Sequence, residues 1–138
     1  MPAYRSSAEA EIRDAAVARL RETMPGCRII HEINCASFGP NRIDVLAVGK
    51  DRIAAVEVKS ERDKLDRLPD QIMSMRGVAH HTIAALHEKF LTPWRTKYGD
   101  LPAFHAPNEA NHAVVWAYPV RPRAGVLGEW PLSDRFDK

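Results

Sequence analysis

Residues 42–59 read RIDVLAVGKDRIAAVEVK, and how this stretch folds decides the arrangement of the rest of the chain. Two apolar runs flank the turn-forming GKDR, so the pattern is strand, turn, strand. In the first run both alternating faces are apolar, Ile43, Val45 and Ala47 on one and Leu46 and Val48 on the other, with Asp44 as the charge between them. Such a strand is expected to be covered on both sides. In the second run Glu57 and Lys59 project from one face while Val56 and Val58 enter the opposite layer. A lone Glu-x-Lys pair is ordinarily a solvated face, but the turn changes that reading. A two-residue loop at Lys50 and Asp51, or a four-residue loop from Gly49 to Arg52, sets Asp44 directly across from Glu57. Facing residues of antiparallel strands have Cβ atoms about 4.5–5.5 Å apart, so two carboxylates are expected to meet in apolar surroundings. Repulsion and desolvation oppose that meeting, and a divalent cation between them relieves both.

The flanking chain builds outward from this hairpin. Ser6 to Met24 has helical spacing: Ser6 or Ser7 serves as N-cap, Glu9 and Glu11 suit the helix dipole, and Ile12, Ala16 and Leu20 form a buried stripe. Glu9 lies on the edge of that stripe and Glu11 points more nearly outward. MPGC ends the helix, CRIIHEI is expected as a first strand, and NCASFGPN as a loop. Downstream, Leu65, Leu68, Ile72 and Met75 recur at helical spacing, Pro69 fits a first turn and Gly77 a C-cap. Gln71 leans inward between Leu68 and Met75. HHTIAAL and HAVVWAY are expected as the fourth and fifth strands, with TPWRTKYGDLPAFHAP an ordered loop excursion between them. At 138 residues the chain is expected to form one α/β domain over residues 1–138, with residues 119–138 a loosely attached tail.

Carboxylate oxygens select hard cations, so the cofactor expected between Asp44 and Glu57 is Mg²⁺ or Mn²⁺, which keep several waters and accept phosphate oxygens. Lys59 would stand beside one of those waters and help to position or deprotonate it, or stabilise charge growing on phosphorus. A carboxylate of the first helix, Glu9 before Glu11, could hold the ion through water. These parts describe metal-assisted phosphodiester hydrolysis.

The order of Glu9 on a helix, Asp44 on a strand, EVK at Glu57 to Lys59, and Gln71 on a following helix resembles the PD-(D/E)XK nuclease superfamily. It is similar above all to small stand-alone members in which RIDVLAV precedes VEVKSERDKLDRLPDQI. The resemblance covers roughly residues 7 to 86. It implies a restriction-endonuclease-like core of helix, three strands, helix and strand, with a mixed sheet flanked by helices. It also implies metal ligation by Asp44, Glu57 and the carbonyl of Val58, a catalytic role for Lys59, a supporting one for Glu9 and a site-lining one for Gln71. The activity implied is that of a Mg²⁺-dependent endonuclease on DNA rather than RNA, in repair or recombination. The reading from a different class is a non-catalytic module that binds nucleic acid or protein, with its carboxylates in ion pairs.

The remaining signals are weaker. A net charge of +2 and a pI of about 8.7 permit a polyanionic partner. Trp94, Arg95 and Lys97 interleave rings with cations, a combination that stacks on bases and pairs with phosphates. Asp63 and Asp66 would lie near the mouth of the site. Cys27, His31 and Cys35 lack a nearby fourth ligand for zinc. No apolar run approaches the roughly 20 residues of a membrane helix, and the acidic start of the chain lacks a secretory pattern, so a cytoplasmic location is expected, with both cysteines as thiols. A cut across both strands would call for a homodimer by symmetry.

Overall fold

The computed structural model describes residues 7–34, 42–95 and 102–118. Helix α1, Ser7–Thr23, buries Ile12, Ala16 and Leu20 as their four-residue spacing requires, together with Glu9 and Arg13. It ends in a turn where Gly26 takes φ 79°, a left-handed conformation that glycine adopts without a side-chain clash. Strands β1 (Arg28–Asn34), β2 (Arg42–Val48) and β3 (Ile53–Lys59) follow as an antiparallel meander. The β2–β3 turn is the four-residue alternative: Gly49 N–H donates to the carbonyl of Arg52 at 2.8 Å. A Cβ on Gly49 would stand 3.0 Å from the end of the Met24 side chain and 3.2 Å from that carbonyl, so a larger residue would require its neighbours to give by a few tenths of an ångström.

Helix α2, Leu68–Arg76, carries the chain to β4 (His81–His87), which lies parallel to β3. Strands β5 (Thr92–Arg95) and β6 (Pro102–His105) then pair with each other, and β7 (Val114–Tyr118) returns parallel to β4. The main sheet is mixed and five-stranded, in the order β1-β2-β3-β4-β7. The segment expected as a loop excursion is therefore in part a two-stranded ribbon. A ribbon is all edge, and an edge is where prolines such as Pro93 and Pro102 are tolerated.

Each face of the sheet has its own core. On the α1 side Leu20 packs with Val45, Val56, Val58, Ile83 and Trp116. On the α2 side Leu68 and Ile72 pack with Ile43, Ala55, Leu86 and Val115. Strand alternation puts Glu57 and Lys59 on the α2 side with Ala55. One expectation fails here: Ile43 does not share a face with Val45 and Ala47 but joins the α2-side core. The β1–β2 ladder runs from Arg28↔Val48 to Asn34↔Arg42 but skips Glu32 opposite Asp44, and Glu32 has φ 56°. That local break lets the strand change faces at Asp44. Among the described residues no helix is long and apolar enough to cross a membrane.

Candidate functional site

The break in the ladder releases Asp44 from ordinary strand pairing, and its groups are taken up elsewhere. The β2–β3 register runs from Val48↔Ile53 to Val45↔Val56. Asp44 and Glu57 are the next step, where regular pairing stops. Asp44 Oδ2 accepts the Val58 N–H at 2.8 Å, so the carboxylate reaches across to β3 and is fixed there. The Asp44 carbonyl accepts from Arg13 Nη1 at 2.7 Å.

Arg13 is the hub of the site, and the sequence reading missed it. Its guanidinium is wholly buried at 0% exposure, with Glu9 at 4%, Asp44 and Glu57 at 3% and Lys59 at 8%. Nη2 bridges Glu9 Oε2 at 3.0 Å and Asp44 Oδ1 at 3.8 Å, and reaches Glu32 Oε1 at 3.5 Å. Nη1 also lies 3.4 Å from His31 Nδ1. Burial, and then the Arg13 charge, depress the pKa of His31 below its usual value. A planar donor of this kind suits several acceptors at once, which an ammonium would not. The available signal was Arg13 standing four residues after Glu9 and next to Ile12, on the buried edge of α1.

On the other side of Asp44, Lys59 Nζ stands 3.5 Å from Glu57 Oε2. Glu57 Oε1 is buried and has no hydrogen-bond partner among the described residues. Burial, followed by the negative charge of Asp44, pushes the Glu57 carboxyl well above the ordinary glutamate range; Lys59 opposes this without cancelling it. The buried set of Glu9, Asp44 and Glu57 against Arg13 and Lys59 carries an excess of negative charge. The outer carboxylate, Glu32, is offset by the half-exposed Arg42 at 4.0 Å. Burial raises the proton affinity of Glu57 first, the Asp44 charge adds to it, and proton binding there relieves the excess.

The donor set fits a hard divalent cation. Asp44 supplies a pre-oriented carboxylate and Glu57 a shielded oxygen with no partner. Among the described residues no group of three or more His, Cys, Asp or Glu side chains could by itself hold a metal ion. A cation at Asp44 and Glu57 would thus complete its shell with water, as Mg²⁺ commonly does.

The expected residues are distributed as follows. Asp44, Glu57 and Lys59 come together. Val58 places its side chain in the α1-side core and gives its N–H to Asp44. Glu9 is the buried helix carboxylate, joined to the site through Arg13, while Glu11 is exposed and accepts from Tyr118 Oη at 3.3 Å. Gln71 sits half-buried on α2, on the face shared by Glu57 and Lys59, with Oε1 shielded and unpartnered among the described residues. Asp63 is engaged locally, accepting from the Ser60 N–H at 2.7 Å and the Ser60 hydroxyl at 3.1 Å. The side chains of Trp94 and Arg95, and all of Lys97, lie outside the described residues, as does the expected tail from residue 119.

Residues 3–96, more than half of the chain, match the model of a family described as Bacteriophage P4 protein cII. That match spans α1 to β5 and contains the whole site. It overturns the resemblance to the PD-(D/E)XK superfamily, because the family found is a different one. What stands of the fold is an α/β arrangement with a mixed sheet between two helices. No curated protein and no solved structure matches the chain.

Proposed function

The chain belongs to the bacteriophage P4 cII family, and from its buried acidic pair we propose that it is a metal-dependent nuclease hydrolysing phosphodiester bonds in DNA. One observation carries this reading: Asp44 and Glu57 are buried together beside Lys59, with the Glu57 carboxyl held towards its protonated form by burial and then by the Asp44 charge. Carboxylates with such a raised proton affinity cluster at sites that exchange protons and cations.

Asp44 and Glu57 would hold Mg²⁺ or Mn²⁺. Such an ion, when bound, supplies a Lewis acid that screens phosphate charge and acidifies water. The chain's own groups do the rest. The Val58 N–H and Arg13 lock Asp44 in one orientation, so no reorganisation is needed when the substrate arrives. Lys59 places its Nζ beside Glu57, where the ammonium can deliver a proton or stabilise charge on phosphorus and the amine can take up a proton from the attacking oxygen. DNA is favoured over RNA as substrate and the cytoplasm is the setting on this reading. An endonucleolytic cut through both strands would recruit a second copy of the chain.

A second reading draws on Arg13. Its pairing with Glu9 and Asp44 is what a non-catalytic module that binds nucleic acid or protein would retain, with carboxylates satisfied by ion pairs. Plasmid, linear, branched and single-stranded DNA incubated with the protein and Mg²⁺ or Mn²⁺ separates the two. Cleavage that disappears in Lys59→Ala and in Asp44→Asn supports the nuclease; binding without cleavage in either metal supports the module.

A further inference from the structure

A separate groove opens at the other end of the parallel strands. It has a volume of about 860 Å³ and runs between the end of α2, the starts of β4 and β7, and the 3-10 turn Asn108–Ala110. In the parallel register Ala54↔His81 and Glu57↔Ala84, three steps separate His81 from the level of Glu57, about 10 Å at roughly 3.3 Å per residue, and the groove lines β4 and β7 but not β3. It is therefore distinct from the acidic pair.

The chemistry of the lining is one-sided. Arg76, His80, His81, Asn108, Asn111 and His112 contribute to it, and among the described residues no aspartate or glutamate does. Arg76 is exposed in the last turn of α2. His80 Nδ1 accepts the Ile53 N–H at 2.9 Å, so its ring proton resides on Nε2, which makes that atom a fixed donor. His112 has φ 70°, a conformation uncommon for residues other than glycine, and the surrounding turn must hold it there. Its backbone N–H is tied to Asn111 Oδ1 at 3.1 Å. Three imidazoles in one groove suggest a transition metal, but no metal-holding group of such side chains is found among the described residues. The imidazoles are spread along the walls instead. His81 stays neutral near pH 7, its pKa lowered to about 4 by burial and then by the charge of Arg52. What remains is the Arg76 guanidinium with a set of N–H donors and, among the described residues, no carboxylate in the lining to repel an anion. Arginine and such donors together recognise phosphate oxygens.

We propose that this groove is a second binding site of the protein, taking a phosphate group carried by a nucleotide or by a polynucleotide strand. Its occupation does not depend on hydrolysis at Asp44 and Glu57, so the two can fail separately.

The test uses the full chain carrying Lys59→Ala, in EDTA, so that neither cleavage nor metal binding contributes. Calorimetry with inorganic phosphate and with adenosine monophosphate, and fluorescence anisotropy with a labelled single-stranded oligonucleotide, measure binding. The expected result is saturable binding of at least one nucleotide-bearing probe that weakens about tenfold in Arg76→Glu and several-fold in His112→Asn. Asparagine tolerates the left-handed backbone, so that variant keeps the turn. Binding of the mononucleotide assigns the site to free nucleotides, and binding of the oligonucleotide alone assigns it to a strand. Absence of binding by every probe, or binding unaffected by both Arg76→Glu and His112→Asn, overturns the proposal.

Discussion

Arg13 on α1 and Asp44 on β2, 31 positions apart, are joined by a 2.7 Å hydrogen bond from the guanidinium to the Asp44 carbonyl. The same guanidinium contacts Glu9 and approaches the Asp44 carboxylate. One buried side chain thus fastens the helix to the strand at the point where strand pairing breaks. It compensates both a freed carbonyl and two buried carboxylates.

Removing Arg13 should therefore cost more than removing an average buried residue. Arg13→Leu is expected to lower stability by about 3–5 kcal/mol, the range for breaking a buried ion pair from one side. The loss would be read as a lower urea midpoint at unchanged slope. Adding Glu9→Gln should recover part of it, since a buried carboxylate that has lost the Arg13 guanidinium is then gone. An unchanged midpoint in Arg13→Leu would show that the network contributes no stability.

Glu57 makes stability depend on pH in a definite direction. Its carboxyl binds a proton more tightly in the folded chain than in the unfolded one, because burial and Asp44 raise its pKa. That contribution is present below the ordinary glutamate range and is lost as pH rises through the raised value. In metal-free buffer Glu57→Gln, which cannot ionise, is expected to melt several degrees above wild type near neutral pH. The gap should close towards about pH 4, where the wild-type group is protonated in both states. A gap of constant size across that range would contradict the assignment.

A divalent cation should relieve the same excess of negative charge. At 100 times its dissociation constant Mn²⁺ is expected to stabilise the protein by about 2.7 kcal/mol. For a domain of this size that is a rise in Tm of roughly 10 °C. Asp44→Asn should abolish the response and Glu57→Gln should blunt it, each followed by thermal melts with and without EDTA. An equal shift in all three proteins would place the ion elsewhere.

Lys59 is expected to act on the reaction and not on the ion. If it handles a proton at the attacking oxygen, Lys59→Ala should lower the cleavage rate by about 10²- to 10⁴-fold while calorimetric Mn²⁺ affinity changes little. Loss of rate and of metal affinity together would make Lys59 a structural partner of Glu57 only.

The elements and the meeting of Asp44 with Glu57 were legible because local rules suffice for them. The four-residue spacing of Ile12, Ala16 and Leu20 predicts a buried helix stripe, and they are buried. The turn between Val48 and Ile53 sets the register of β2 against β3, and the observed pairs Val48↔Ile53 and Val45↔Val56 follow from it. The ribbon formed by Thr92–Arg95 and Pro102–His105 escaped notice because its prolines weaken every strand signal except the position at an edge.

What the linear chain determined by itself is the hairpin and the acidic pair it carries, since side-chain alternation and turn length are properties of neighbouring residues. Only the tertiary structure decided what surrounds that pair. Arg13 comes to Asp44 from α1 and gathers Glu32 and His31 of β1 around its guanidinium, and the switch of Ile43 to the opposite core follows from a ladder break at Glu32. Such contacts depend on how helix and strands pack in three dimensions, where burial removes water and makes each charge answer to partners distant in the chain.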